Sequence, residues 1–317
     1  MENIKNFRIN KINERLNQDY NIKITDYNIL GRRSYKLIDD TNNLFFLKET
    51  EFNTLEKYHF LYNQSVSNIL YPFLNKNNNF VSSIDNHNFY INRYINDFKV
   101  LEDYRVKNMF NELNNLHNMT SFKKQLDPKK SRNRFDELSN QLDYKFKIIE
   151  DYIRSLEIKQ LEPSMMMILG NYQYILDAKK ELIRLQKRII SSVKAKESVT
   201  YSFIHNNPTL DHLINENGNN YLTSIDKGKV GICSLDIAKF YIENKNVDVD
   251  LKYLINDYFN SNNNPFYYDY FRFLVLVIYI KGLNVNNDNL TLGNQFKNVS
   301  ENIKIYFNDF KDINYEE

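Results

Sequence analysis

The side chains with chemistry to offer gather in one stretch, Phe203-Ile204-His205-Asn206-Asn207-Pro208-Thr209-Leu210-Asp211-His212-Leu213-Ile214. It has an apolar lead-in, a polar loop and an apolar exit, so its ends can anchor in a core while the middle faces a cleft. Two shorter stretches follow, Tyr221-Leu222-Thr223-Ser224-Ile225-Asp226 and Ser234-Leu235-Asp236-Ile237-Ala238-Lys239-Phe240. The carboxylates of Asp211 and Asp226 could hold a hard divalent cation. His205 and His212 are seven positions apart, too far for a His-x-x-x-His zinc site on one helix. The single cysteine, Cys233, excludes an internal disulfide framework and a multi-cysteine metal site. Its neighbours give it no histidine partner or helix start, so it is not expected to be catalytic. His59 and His87 lack metal-ligand spacing, and His117 sits inside a periodic helix as a packed residue.

These loops need elements to carry them. Residues 1–20 place Phe7, Ile9, Ile12 and Leu16 at roughly helical spacing. Short strand-like segments follow at Ile22–Ile29, Arg33–Ile38 and Leu44–Leu47, the last two joined by the turn Asp39-Asp40-Thr41-Asn42-Asn43. So short a link predicts antiparallel pairing. Glu51–Leu61 reads as a helix through Phe52, Leu55, Tyr58 and Phe60. Ile69–Leu74, Phe80–Ile84 and Phe89–Ile95 read as strands, with a turn at Asn86-His87-Asn88. Beyond Ile95 the period becomes helical: Val106–Met119, Arg134–Leu156, Met165–Lys194, Leu251–Phe259, Tyr267–Ile280 and Phe296–Phe310. Strands are expected at Tyr201–Ile204 and Tyr221–Ile225. The boundary is placed near Asn96, giving a β-rich lobe over 1–95 and a helical lobe over 96–317. The basic run from Lys123 to Arg134 reads as a solvated loop between helices, and the aromatic cluster Phe266–Phe271 as core packing.

The loop and its surroundings resemble the aminoglycoside phosphotransferase and choline kinase superfamily, and within it the bacterial spore-coat kinase-like branch. The family's catalytic loop is His-Gly-Asp, four variable residues, then Asn. His205 stands at the His, Asn206 at the Gly, Asn207 at the catalytic Asp and His212 at the metal-binding Asn. Ser224 stands at the second metal-binding Asp, and Asp236-Ile237-Ala238 matches the Asp-Leu-Ala motif packed beneath the loop. Lys48 in Phe46-Leu47-Lys48 is similar to the nucleotide-contacting lysine, with Glu51 or Glu56 as its carboxylate partner. Leu113-Asn114-Asn115-Leu116-His117 is similar to the family's Leu-x-x-Leu-His helix. The resemblance implies an α+β, two-lobed protein-kinase-like fold, with a small antiparallel β-rich N-lobe and a large mainly helical C-lobe. It also implies ATP and magnesium as cofactors of any active member.

The departures from that pattern carry the functional reading. Asn207 is an amide and cannot accept a hydroxyl proton as a carboxylate does. Ser224 offers a neutral hydroxyl and His212 a nitrogen, both poor magnesium ligands. The positions expected to bear the chemistry are therefore poor in negative charge, while the loop scaffold of His205 and Asp236 is kept. Asp211, one residue before His212, and Asp226, two after Ser224, are the carboxylates that could restore metal binding. Asp226 would do so if 224 and 226 share a strand face. The loop Asn28–Tyr35 has one glycine, short of an amide cradle for phosphates. Arg32 and Arg33 could instead meet phosphate with their side chains.

Composition fits these readings. The chain has 317 residues, a formal net charge of +2, 42% hydrophobic and 26% charged residues. That is enough for one large core or two packed lobes and gives no electrostatic ground for nucleic-acid or membrane binding. Phe273–Ile280 is too short to span a bilayer, and Met1–Phe7 lacks the basic start and apolar core of a secretory signal. The favoured expectation is a catalytically inactive kinase-like protein without a cofactor. It would serve as a structural or assembly factor among other proteins and, by resemblance, be deposited in a spore coat. The alternatives are an ATP- and magnesium-dependent phosphotransferase acting on a small hydroxylated substrate through Asp211 or Asp226, and a nucleotide or metabolite sensor that keeps the Lys48 cleft.

Overall fold

The structure is a computed structural model describing residues 2–51, 53–85, 87–98, 100–125, 127–156, 162–194, 198–260 and 265–310, with backbone only at 2–10, 128, 131, 132 and 194. Phe52 and Asn86, used above for a helix face and a turn, lie outside the described residues, as do the side chains of Phe7 and Ile9. The chain divides into two compact units: Met1–Ser121 with Ser202–Gly231, and Phe122–Tyr201 with Ile232–Glu317. The segment after Asn96 is tied to the loop region within the first unit: Phe98 N–H donates to the Asn215 carbonyl at 3.1 Å and Asn215 N–H to Asp97 at 2.9 Å. Arg105 adds a 3.1 Å bond to the Leu210 carbonyl and a contact with that of Leu213.

The first unit begins with helix α1 (Glu2–Tyr20) and an antiparallel sheet ordered β1-β2-β3-β5-β4. Its strands are β1 (Ile24–Gly31), β2 (Ser34–Asp39), β3 (Leu44–Thr50), β4 (Ser82–Ile84) and β5 (His87–Arg93). Helix α2 (Thr54–Asn63) follows β3. Ile12 and Leu16 of α1 pack on Leu37, Leu47, Phe89 and Ile91, the apolar alternation of three strands closing under one helical stripe. The turn between β2 and β3 is set by Asp39, whose carboxylate accepts the N–H of Thr41 at 2.9 Å and of Asn43 at 2.7 Å. Ile69–Leu74, expected as a strand, forms no strand: it makes an isolated bridge from Ile69 to Leu222 and a single bond from Phe73 N–H to the Ile91 carbonyl at 2.8 Å. Pro72 lies within it and brings no N–H to a ladder.

Helix α3 (Glu102–Met119) buries Val106, Met109, Leu113 and Leu116. The rest of this unit is the end of β7 (Ser198–Ile204), the hairpin of β8 (Leu213–Glu216) and β9 (Asn219–Leu222), and β10 (Lys229–Gly231). Ser202, Phe203 and Ile204 pair with β10. Gly228 permits this close approach, since a Cβ there would stand 2.5 Å from the Phe203 ring. Glycine is scarce in this chain, and asparagine takes over its left-handed positions. Asn21, Asn42, Asn78, Asn206 and Asn217 all have positive φ.

The second unit holds β6 (Phe122–Gln125), paired with residues 198–201 of β7, and helices α4 (Pro128–Leu156), α5 (Pro163–Lys194), α6 (Ser234–Asn244), α7 (Leu251–Asn260), α8 (Pro265–Gly282) and α9 (Asn289–Phe310). The run read as a loop at 123–134 is thus a strand and the start of a helix. Its lysines conceal the period because all of β6 is exposed. Helix α6 was not expected, and Cys233 stands at its N-cap, so the cysteine does sit at a helix start. Phe266, Tyr267 and Phe271 are buried, as the core reading of the aromatic cluster expects. Arg272 and Asp269 of α8 are also buried, paired with Glu181 at 2.8 Å and Arg188 at 3.0 Å of α5. Among the described residues no helix is long and apolar enough to cross a membrane.

Candidate functional site

The site assembles within the first unit from one strand of the sheet and the loops after β7 and β9. β7 enters through buried Phe203 and Ile204 and delivers His205, which is fully buried. The chain then reverses at Asn206, at φ 62°, whose side-chain amide donates to the Lys227 carbonyl at 2.9 Å. Asn207 N–H donates to His205 Nδ1 at 3.3 Å, so the proton of a neutral His205 sits on Nε2 and is donated to the Thr223 carbonyl at 2.8 Å. His205 thereby staples the loop after β7 to the loop after β9.

A 3-10 turn, Leu210–His212, presents Asp211 to solvent and turns His212 back onto the loop. His212 Nδ1 donates to the Asn207 carbonyl at 2.8 Å, and its ring stacks on that of His205 with centroids 5.4 Å apart. Burial lowers the His212 pKa below its ordinary 6.5, with the nearby Lys48 charge acting in the same direction. The neutral imidazole with Nδ1 protonated is the resulting form at neutral pH.

β9 stops at Leu222, and the expected strand does not continue through Ser224. Thr223 N–H is drawn to the His212 carbonyl at 2.8 Å, and Ser224 adopts the left-handed region at φ 57°, ψ 42°. A 3-10 turn, Ile225–Lys227, follows, pinned by Ile225 at 0% exposure. Ser224 and Asp226 therefore do not share a strand face. The turn nevertheless brings both to Lys48: Lys48 Nζ donates to Ser224 Oγ at 2.9 Å and forms an ion pair with the Asp226 carboxylate. Thr50, on the Lys48 face of β3, donates to Asp226 Oδ1 at 3.2 Å, and Lys57 of α2 donates to the Asp226 carbonyl. Burial lowers the Lys57 pKa.

Of the residues singled out from the sequence, His205, Asn207, His212, Ser224, Asp226 and Lys48 come together here. The carboxylate that meets Lys48 is Asp226. Glu51 pairs with Lys227 at 3.4 Å, and Glu56 is exposed on the first turn of α2. Asp236 is fully buried in the first turn of α6, in the second unit. Burial raises the Cys233 thiol to about 11, keeping it protonated and unreactive at neutral pH. Arg32 and Arg33 form the exposed two-residue tip between β1 and β2. Thr50 and Lys57 were missed. Thr50 had a signal, since it stands two positions after Lys48 on one strand, whereas Lys57 had none.

For magnesium with a nucleotide triphosphate, which the resemblance implies, this donor set offers one carboxylate, Asp226, and that group is engaged by Lys48. Among the described residues no group of three or more His, Cys, Asp or Glu could hold a metal ion. Asp226 is neutralised by Lys48, Ser224 is bonded to the same ammonium, and His212 presents nitrogen to a cation that prefers oxygen.

No protein-family model matches this sequence, and no curated protein matches it. Solved structures do match. An aminoglycoside phosphotransferase from Alicyclobacillus acidocaldarius is similar with a TM-score of 0.61 at 10% identity, over 90% of this chain and 91% of that one. Amicoumacin kinase hAmiN, in complex with AMP-PNP, calcium and Ami, gives 0.51 at 11% identity, over 92% and 93%. AMP-bound spectinomycin phosphotransferase gives 0.50 at 13% identity, over 94% and 98%. At such identities the likeness shows the fold, the α+β two-lobed kinase-like fold of aminoglycoside phosphotransferases.

Proposed function

We propose that this chain is a kinase-like protein without phosphoryl-transfer activity, acting as a structural or assembly factor. The observation that carries this reading is the charge state around Lys48. Phosphoryl transfer needs a carboxylate to accept the hydroxyl proton and carboxylates to hold the metal on the phosphates. Asn207 supplies an amide at the first position, and His212 and Ser224 supply neutral groups at the others. The carboxylate within reach, Asp226, is held by Lys48 and Thr50, and the ammonium that would meet phosphate already bonds Asp226 and Ser224. The resemblance to the spore-coat branch suggests the endospore coat as the assembly, and no cofactor is required.

The test is ADP release from ATP with magnesium, in the presence of hydroxylated acceptors such as an aminoglycoside and choline. The expected result is a rate equal to the protein-free control for the natural chain and for Asp226→Asn alike. Turnover above the control that disappears in Asp226→Asn overturns the proposal and makes Asp226 a metal ligand of an active enzyme.

A further inference from the structure

The second unit carries a basic strip that the Lys48 site does not use. β6 pairs with β7 through Phe122↔Tyr201, Lys123↔Thr200, Lys124↔Val199 and Gln125↔Ser198. No described strand pairs with its other side, and all four of its residues are exposed. In an antiparallel pair part of each strand's N–H and C=O groups point away from the partner, so β6 presents an open row of main-chain donors and acceptors. Phe122 stacks on Tyr201 with centroids 6.3 Å apart while staying 42% exposed, and Lys124 lies 5.6 Å over the Tyr201 ring.

The charge continues into α4. Between Phe122 and Arg134 the sequence has six basic residues and a single acid, Asp127. The first turn of α4 contains no acidic residue, although the helix dipole favours negative charge there, and Lys129 and Lys130 stand exposed in it. Asp127 already caps the turn, accepting the N–H of Lys129 at 3.0 Å and of Lys130 at 3.1 Å. Those two amides are satisfied, and the excess positive charge resides on side chains.

Lysines on an edge strand also serve to prevent edge-to-edge assembly. That role does not explain a wet aromatic pair on the same strand, or basic residues that go on past the strand into a helix. We propose that β6 and the first turns of α4 dock an extended acidic segment of a partner protein. The segment adds to β6 as a further strand, its backbone bonding the open edge, an apolar side chain covering Phe122 and its carboxylates meeting Lys123, Lys124, Lys129 and Lys130. A single-stranded nucleic acid would meet the charge and leave the strand edge unused, so the peptide is the better fit. The inference names the kind of partner an assembly factor would hold, but it stands whether or not the Lys48 site turns over ATP.

Fluorescence anisotropy on the full chain tests it, with a labelled octapeptide repeating Val-Glu-Glu, its Lys-for-Glu counterpart and a labelled dT oligonucleotide. The acidic peptide is expected to bind, more tightly at low salt, and to slow amide exchange at Lys123–Gln125. The double variant Lys123→Glu/Lys124→Glu should weaken it by about tenfold or more. Lys129→Glu/Lys130→Glu, which the helix dipole favours and so keeps the fold, should weaken it likewise. No binding of the acidic peptide, binding unchanged in the second double variant, or tighter binding of the oligonucleotide overturns the proposal. None of these outcomes alters the ADP-release result, so the two readings fail separately.

Discussion

Two cation–carboxylate arrangements, one in each unit, use the same attraction for different ends. In the second unit the Arg272 guanidinium is 1% exposed and meets Glu181 at 2.8 Å, while Arg184 bonds the same carboxylate. Three helical side chains with fixed backbones form this group, and its neighbours are helix and core. In the first unit Lys48 and Asp226 pair with side chains 20% and 13% exposed, and Asp226 is supplied by a turn that follows a left-handed serine. The first arrangement holds packed helices together. The second ties β3 to the turn after β9 through one carboxylate and one ammonium.

Damage in the two places should read out differently. Glu181→Leu strips the carboxylate from a buried guanidinium and should cost about 3 kcal/mol of stability in urea unfolding. A cost near zero would mean the helical network is not structural. Lys48→Met removes a half-buried partner and should cost less, about 2 kcal/mol, with the loss concentrated in protection of the turn after β9 during amide exchange. A larger loss from Lys48→Met than from Glu181→Leu would reverse the comparison.

The pH dependence sharpens the same contrast. The folded pKa of His212 lies below 6.5 because of burial, so as pH falls the unfolded chain takes up that proton first. Its contribution to stability is full above pH 6.5 and is lost as pH falls from there through the folded value. His212→Asn should flatten this part of a stability–pH curve, and an unchanged curve would show that His212 is solvated. The smallest effect belongs to Glu51, whose pair with Lys227 is 53% and 63% exposed. Glu51→Ala should change stability by less than about 0.5 kcal/mol.

Much of the fold could be read from periodicity. The long helices α4, α5 and α8 and the β2–β3 hairpin announce themselves through apolar spacing and the Asp39–Asn43 turn. Short elements did not. β6 is wholly exposed and shows no alternation, and β10 has three residues, one of them a glycine. The loop around His205 was legible as a unit because all its residues lie close in sequence. The pairing of Lys48 with Asp226 was not, since 178 positions separate the partners and nothing local marks the match. The resemblance implied Glu51 or Glu56 as the partner for Lys48, while the fold brought Asp226. The left-handed turn at Ser224 had no glycine to signal it, because in this chain other residues take the positions that glycine holds elsewhere.

The measurement that bears most directly on the cleft is calorimetric titration of the chain with ATP, with and without magnesium. The Lys48–Asp226 pair predicts no magnesium-dependent heat. Binding that requires magnesium and is abolished by Asp226→Asn would contradict it, by showing that Asp226 leaves Lys48 to ligate the ion.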